Sequence, residues 1–309
     1  MRISEFSLCN VVLAVAVAAG CQGCRSGSND NGETSLYDRL EQAREISDPV
    51  EKATELIAVG NAYAKADESQ WAVTSLKDAV EAADEINATR QATDRARVHI
   101  ALAKAWQKVG STSKCKDAYE ETEKIVDKVE SPADKTEILI DLASVKIKVD
   151  DTKDAKKVLK KAEEACGQIG DPRERASLLT WVAYGFAKSK DKAESARVLE
   201  SAVQFANGQE KATEKSRLLA IIGRAQITDH GESDAGQANL DKALELARGI
   251  DDKEAYAKAS ALIYIADQFA GAGQKQKALE LLSEAKDLVR ELAEGKPLLE
   301  EIEAKQKKY

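Results

Sequence analysis

A set of columns recurring down the chain constrains its fold more than anything else in the sequence. Small residues stand at Gly60, Ala103, Ala143, Ala183, Gly223 and Ala266, separated by 43, 40, 40, 40 and 43 residues. One residue before them lie Val59, Leu102, Leu142, Val182, Ile222 and Ile265, and four residues before them Leu56, His99, Leu139, Leu179, Leu219 and Leu262. Three residues after them come Tyr63, Trp106, Lys146, Phe186, Gln226 and Phe269. Such spacings place the side chains on one face of a helix. The clearest copy, Ala261 to Leu288, shows the whole unit. Leu262, Ile265, Ala266 and Phe269 line a first helix, Gly271 and Gly273 interrupt it, and Ala278, Leu281, Leu282, Ala285 and Leu288 line a second. A lone helical hairpin cannot bury its apolar faces, so it must stack on copies of itself.

The second helices keep register too. Ala72, Cys115, Ala155, Ser195 and Ala278 open them, and Ile86, Val129, Ile169, Ile250 and Leu292 lie near their ends. Three of the four prolines fall in the turns that follow or precede a hairpin, as Asp48-Pro49, Ser131-Pro132 and Asp171-Pro172. A capping side chain followed by proline satisfies one orphan N–H of a helix start and removes another. Pro297 starts a charged closing helix over 297–308, read as a polar cap. Leu36 to Ile46 reads as a lone leading helix. The expected fold is an all-α solenoid of about six antiparallel hairpins filling residues 34–309, with a period of about 40 and no domain boundary. Charged residues at 32% and aromatics at 5% suit such helices and disfavour sheet.

The columns resemble tetratricopeptide repeats. Ala266, Phe269, Gly273, Ala278 and Ala285 stand at that family's spacing of small residue, aromatic, turn glycine, alanine and alanine. Gly60, Tyr63, Ala72 and Ala79 give a second match. The resemblance implies a right-handed superhelix whose concave face is lined by the first helices. The departures are a longer period, leucine where the family opens its first helix with tryptophan, and a proline displaced into the inter-repeat turn. A solenoid of HEAT-like period is the structural alternative.

The N-terminus differs in kind. Val11 to Ala19 is an apolar run, too short for the roughly 20 residues that span a bilayer. It matches the apolar core of an export signal over residues 1–20. Ala18-Ala19-Gly20-Cys21 resembles the lipobox of bacterial lipoproteins, in which the cysteine is lipidated after cleavage. That resemblance makes Cys21 the lipidation residue, and Gln22 after it implies the outer membrane. An ordinary cleaved signal peptide, leaving a soluble periplasmic protein, is the alternative. Residues 21–33, rich in Gly, Ser, Asn and charge, read as a flexible tether. The membrane would then be touched through the lipid anchor alone.

Chemistry is scarce. No phosphate loop, nucleophile elbow or zinc spacing occurs, so neither an enzyme nor a cofactor is expected. His99 stands in a column of leucines and is expected to pack in the core. Asp229, His230, Glu232 and Asp234 could gather round a cation, but a solvated turn is the expected reading. Cys115 and Cys166 are expected to be reduced, being offset too far along neighbouring helices to bond. A formal net charge of −8 argues against nucleic acid as partner.

Function is left to the exposed stripe of the first helices. It holds Thr54, Ala58, Asn61 and Lys65; Arg97, Ala101, Lys104 and Lys108; Glu137, Asp141, Ser144 and Lys148. It continues with Ser177, Trp181, Tyr184 and Lys188; Arg217, Ile221, Arg224 and Thr228; and Ser260, Tyr264, Asp267 and Gly271. Eight of these are basic and three acidic, a surplus of positive charge within an acidic chain. With Trp181, Tyr184 and Tyr264 as anchors, the stripe suits a protein partner or an extended acidic peptide. It lacks the resembled family's carboxylate clamp, because the neighbouring column is Ile57, Ile100, Ile140, Thr180, Ala220 and Ile263.

Overall fold

The computed structural model of the chain describes residues 34–290, 292 and 294–309. Among them every regular element is helical. A leading helix, α1 (Leu36–Arg44), precedes six hairpins: α2 (Pro49–Lys65) with α3 (Ser69–Glu85), α4 (Ala92–Lys108) with α5 (Thr112–Ile125), α6 (Pro132–Lys148) with α7 (Thr152–Cys166), α8 (Pro172–Lys188) with α9 (Lys192–Asn207), α10 (Ala212–Ala225) with α11 (Ser233–Arg248), and α12 (Ala255–Gly271) with α13 (Lys275–Val289). The closing helix, α14 (Lys296–Lys308), begins one residue earlier than Pro297 suggested. None of the described helices is long and apolar enough to cross a membrane. The expected signal, tether and Cys21 lie outside the described residues.

The columns do what their spacing requires. All six small residues and the apolar residues just before them are buried. The capping turns behave as read: Asp48 accepts from the N–H groups of Val50 and Glu51, Ser131 from that of Asp134, and Asp171 from those of Arg173 and Glu174, each before a proline. The first helices also end alike. A residue in the left-handed region follows them, at Asp67, Gly110, Asp150, Lys190, Gly231 and Gly273, with φ between 61° and 84°. The next N–H then donates back into the last turn, as from Glu68 to the Tyr63 carbonyl at 2.9 Å. Gly271 is thus the last helical residue, and Gly273 alone makes the turn.

Departures from the columns are resolved by polar partners. Lys146, in the aromatic column, is 2% exposed and meets Asp154 at 2.8 Å, Glu123 at 3.0 Å and Asp151 at 3.5 Å. Its ammonium lies 4.3 Å from the Tyr119 ring centroid. Burial works against this cation, but the hydrogen bonds it donates to Asp154 and Glu123, together with their charges, outweigh it and raise its pKa. Gln226, in the same column, accepts from Asn239 at 2.7 Å and donates to Glu232 at 3.1 Å. His99 is 2% exposed, as expected, and burial, with Arg95 second, lowers its pKa. Cys115 and Cys166 are free and buried, and burial pushes the Cys166 thiol up to about 12.

One irregularity escaped the sequence reading. From the small residue of each first helix to the fourth residue of its partner helix is twelve residues in five hairpins, but thirteen from Gly223 to Gly236. The extra residue is taken up as a π-helical turn over Gln226–His230, and Glu232 reaches back six residues to the Gln226 carbonyl. Two more residues lengthen the turn before α12, which explains the 43-residue step there. Gly236 is the unrecognised member of the second-helix column. A Cβ on it would stand 2.6 Å from the Gly223 carbonyl oxygen and 3.0 Å from the Ile227 nitrogen, both backbone. Gly236→Ala should therefore force α10 and α11 apart and cost about 1–3 kcal/mol, read as a lower urea midpoint with an unchanged m-value.

Candidate functional site: the inner face of the first helices

Successive first helices pack on one another, α2 on α4 and so on to α10 on α12, whereas successive second helices do not. The second helices are linked by side chains instead. Arg197 of α9 reaches Glu163 of α7 at 2.6 Å and Arg248 of α11 reaches Glu284 of α13 at 2.7 Å, and Arg44 of the leading helix reaches Asp78 of α3 in the same way at 2.7 Å. A stack tight on one side and spaced on the other curves toward the tight side, so the first helices line the inner face.

Along that face the expected charges sort into two groups. Arg97 bonds Asp134 at 2.5 Å and Glu137 at 3.2 Å in the next hairpin, and Lys104 bonds Asp141 at 2.7 Å. Asp267 is taken by Lys305 of α14 at 2.6 Å and by the Tyr309 hydroxyl. All three carboxylates of the stripe are thereby engaged. Lys65, Lys108, Lys148, Lys188, Arg217 and Arg224 have no carboxylate within 4.0 Å among the described residues. Some of them meet neutral groups. Lys108 donates to Asn61 at 3.4 Å, Arg217 to Ser260 at 2.9 Å and Arg224 to Gln268 at 3.0 Å.

The aromatics lie among these cations, each half-buried. Trp181 and Tyr184 of α8 meet edge to face at 5.9 Å, and the Lys188 ammonium lies 5.0 Å from the Tyr184 ring centroid. Tyr264 of α12 lies 5.8 Å from the Arg217 guanidinium. Burial pushes its phenol pKa up, against the opposing pull of Arg173, Arg217 and Arg224. Ile221, expected in the exposed stripe, is only 6% exposed.

His230 corrects the expectation of a solvated turn. The π turn directs its ring back onto the preceding hairpin, where Nε2 lies 3.3 Å from the Thr180 carbonyl and Nδ1 lies 3.5 Å from Ser195 Oγ. The ring also meets Tyr184 edge-on at 5.9 Å. Glu232 turns away to Gln226, so the acidic run does not gather round a cation. Among the described residues no cluster of histidine, cysteine and carboxylate side chains could hold a metal ion. The thirteen-residue spacing was the available sign of this contact. Nothing in sequence pointed to Lys305 and Tyr309.

No family model matches the chain, and no curated protein matches it. Solved structures do. Ton1535 from Thermococcus onnurineus NA1 is 15% identical, over 86% of this chain and 94% of that one, with a TM-score of 0.39. Aspartyl phosphate phosphatase F from Bacillus subtilis is 12% identical, over 84% and 65%, at 0.40. A Rap protein complexed with Competence and Sporulation Factor is 14% identical, over 88% and 80%, at 0.37.

The half-buried His230 imidazole has a consequence in acid. Burial lowers the His230 pKa, against the Thr180 carbonyl, Glu232 and Asp229, which raise it. Below about 6.5 the unfolded chain binds a proton that the folded chain resists, so stability falls as pH drops. His230→Gln should cost about 1 kcal/mol at neutral pH and should lose less stability than the wild type on going to mildly acidic pH. Parallel denaturation curves for the two proteins at both pH values would refute this assignment.

Proposed function

We propose that this protein is a non-enzymatic interaction scaffold that takes an extended acidic segment of a partner protein along its inner face. The observation that carries the proposal is the pairing of Glu137, Asp141 and Asp267 by neighbouring cations. Six lysines and arginines are left there without an acidic partner among the described residues, interleaved with Trp181, Tyr184 and Tyr264. An acidic chain lying across them gains charge complementarity and aromatic contact at once. Arg217 and Arg224 are held by Ser260 and Gln268, which fixes their guanidiniums in place before a ligand arrives.

The N-terminal residues support placing this scaffold in the bacterial envelope, through a lipid on Cys21. The alternative is a soluble periplasmic protein released by an ordinary signal peptidase. Metabolic labelling with a palmitate analogue separates them: the anchored form takes label and loses it in Cys21→Ala, and an unlabelled wild type favours the soluble form.

For the inner face, Lys148→Glu, Lys188→Glu and Arg224→Glu combined should weaken binding of a fluorescent glutamate-rich peptide at least about tenfold at low salt, with the wild-type affinity itself falling as salt screens the charges. Capture of partners after crosslinking in native membranes should fall in parallel. Unchanged affinity and unchanged capture would rule the groove out.

A further inference from the structure

Asp267 is the one acidic side chain in a column otherwise filled by Asn61, Lys104, Ser144, Tyr184 and Arg224. Left open, it would repel an acidic ligand at the end of the face where Arg217, Arg224 and Tyr264 lie. Both of its oxygens are instead occupied from α14. Lys305 Nζ sits 2.6 Å from Oδ2, and the Tyr309 hydroxyl donates to Oδ1. Lys305 also meets Glu301 at 3.4 Å, one turn back on its own helix. Burial works against its ammonium, but the hydrogen bonds and charges of Asp267 and Glu301 together outweigh this and raise its pKa. Burial and the adjacent carboxylate also hold the Tyr309 phenol in its protonated, donating form.

A polar cap does not require this arrangement. The apolar contact that docks α14 is made by Leu298 and Ile302, both buried. Tyr309 and Leu299 add partly buried contacts, but Lys305 could have faced solvent, as the neighbouring Lys307 does. We infer that α14 is a specificity determinant of the inner face: Lys305 and Tyr309 mask Asp267, so that an anionic ligand meets no open carboxylate along the stripe. This rests on the acidic-ligand proposal above. It adds that selectivity for negative charge depends on a helix outside the repeats.

The test uses the purified protein and the fluorescent glutamate-rich peptide, with helical circular dichroism and thermal melting measured alongside. Lys305→Met uncovers Asp267 and should weaken binding about three- to tenfold, the scale of one uncompensated charge at a partly solvated site. Adding Asp267→Asn to Lys305→Met should bring affinity back to near the wild-type value, because the pair is again neutral. Tyr309→Phe, which leaves the charges alone, should weaken binding less. Asp267→Asn by itself removes the negative charge from the stripe, leaves Lys305 to Glu301 alone and should tighten binding, and it carries the test if Lys305→Met loses its helical signal. A folded Lys305→Met variant with wild-type affinity and only a lower melting temperature makes the contact purely structural and overturns the inference. Weaker binding in Asp267→Asn overturns it too, since Asp267 would then contact the ligand. A wild-type protein that does not bind the peptide overturns the acidic-ligand proposal and this inference together.

Discussion

Close approach of two helices at one point per hairpin is the constraint from which the rest of the structure follows. The small residue of each first helix is buried, and at Gly60 an added Cβ would stand 2.9 Å from Leu76 and 3.4 Å from the Ala72 carbonyl oxygen of the partner helix. Where both sides are glycine, at Gly223 and Gly236, even a methyl group would meet backbone atoms well inside contact distance. That contact sets the angle of every hairpin. The left-handed residue then turns the chain within each hairpin, and a capped proline starts three of the six first helices. Packing first helices directly on one another, with second helices joined by arginine–carboxylate pairs, produces curvature without any element dedicated to it.

Curvature also brings the charges of successive repeats together on the inner face. Each first helix projects the same positions inward, so charges one repeat apart become neighbours although they stand 37 to 40 residues apart in the chain. Arg97 finds Glu137 and Lys104 finds Asp141 for this reason. The acidic residues of the stripe are consumed in holding hairpins together, and a surplus of cations stays available. Under the proposed function, stability and binding draw on one stripe with opposite demands. The carboxylates serve the first and the unmatched lysines and arginines the second.

Much of this was legible in the sequence, and the rest was hidden for identifiable reasons. Columns such as Leu56 to Leu262 announce helices because burial acts on one face, and periodicity records it. The same logic placed His99 in the core. Lys146 was placed in the right column, but its three carboxylate partners come from two helices and a turn, which no local pattern reports. Cross-repeat pairing of Arg97 and Lys104 depends on the pitch of the stack, a quantity sequence does not carry. Tyr309 and Lys305 depend on how α14 docks. His230 lay between these cases: its thirteen-residue offset was countable, but the direction it gave the ring was not.

That single added residue also bears on how such arrays tolerate change. One residue advances an α-helix by about 100° about its axis. An insertion carried onward through a first helix would therefore turn every later side chain out of phase with the stack. Here the phase error arises and is cancelled within one wide turn, and α12 and α13 resume the common register beyond it. The cost is confined to a bulge and its product is a ring aimed sideways at the neighbouring hairpin. A repeat array can in this way gain a unique contact at one position while every other repeat keeps its place.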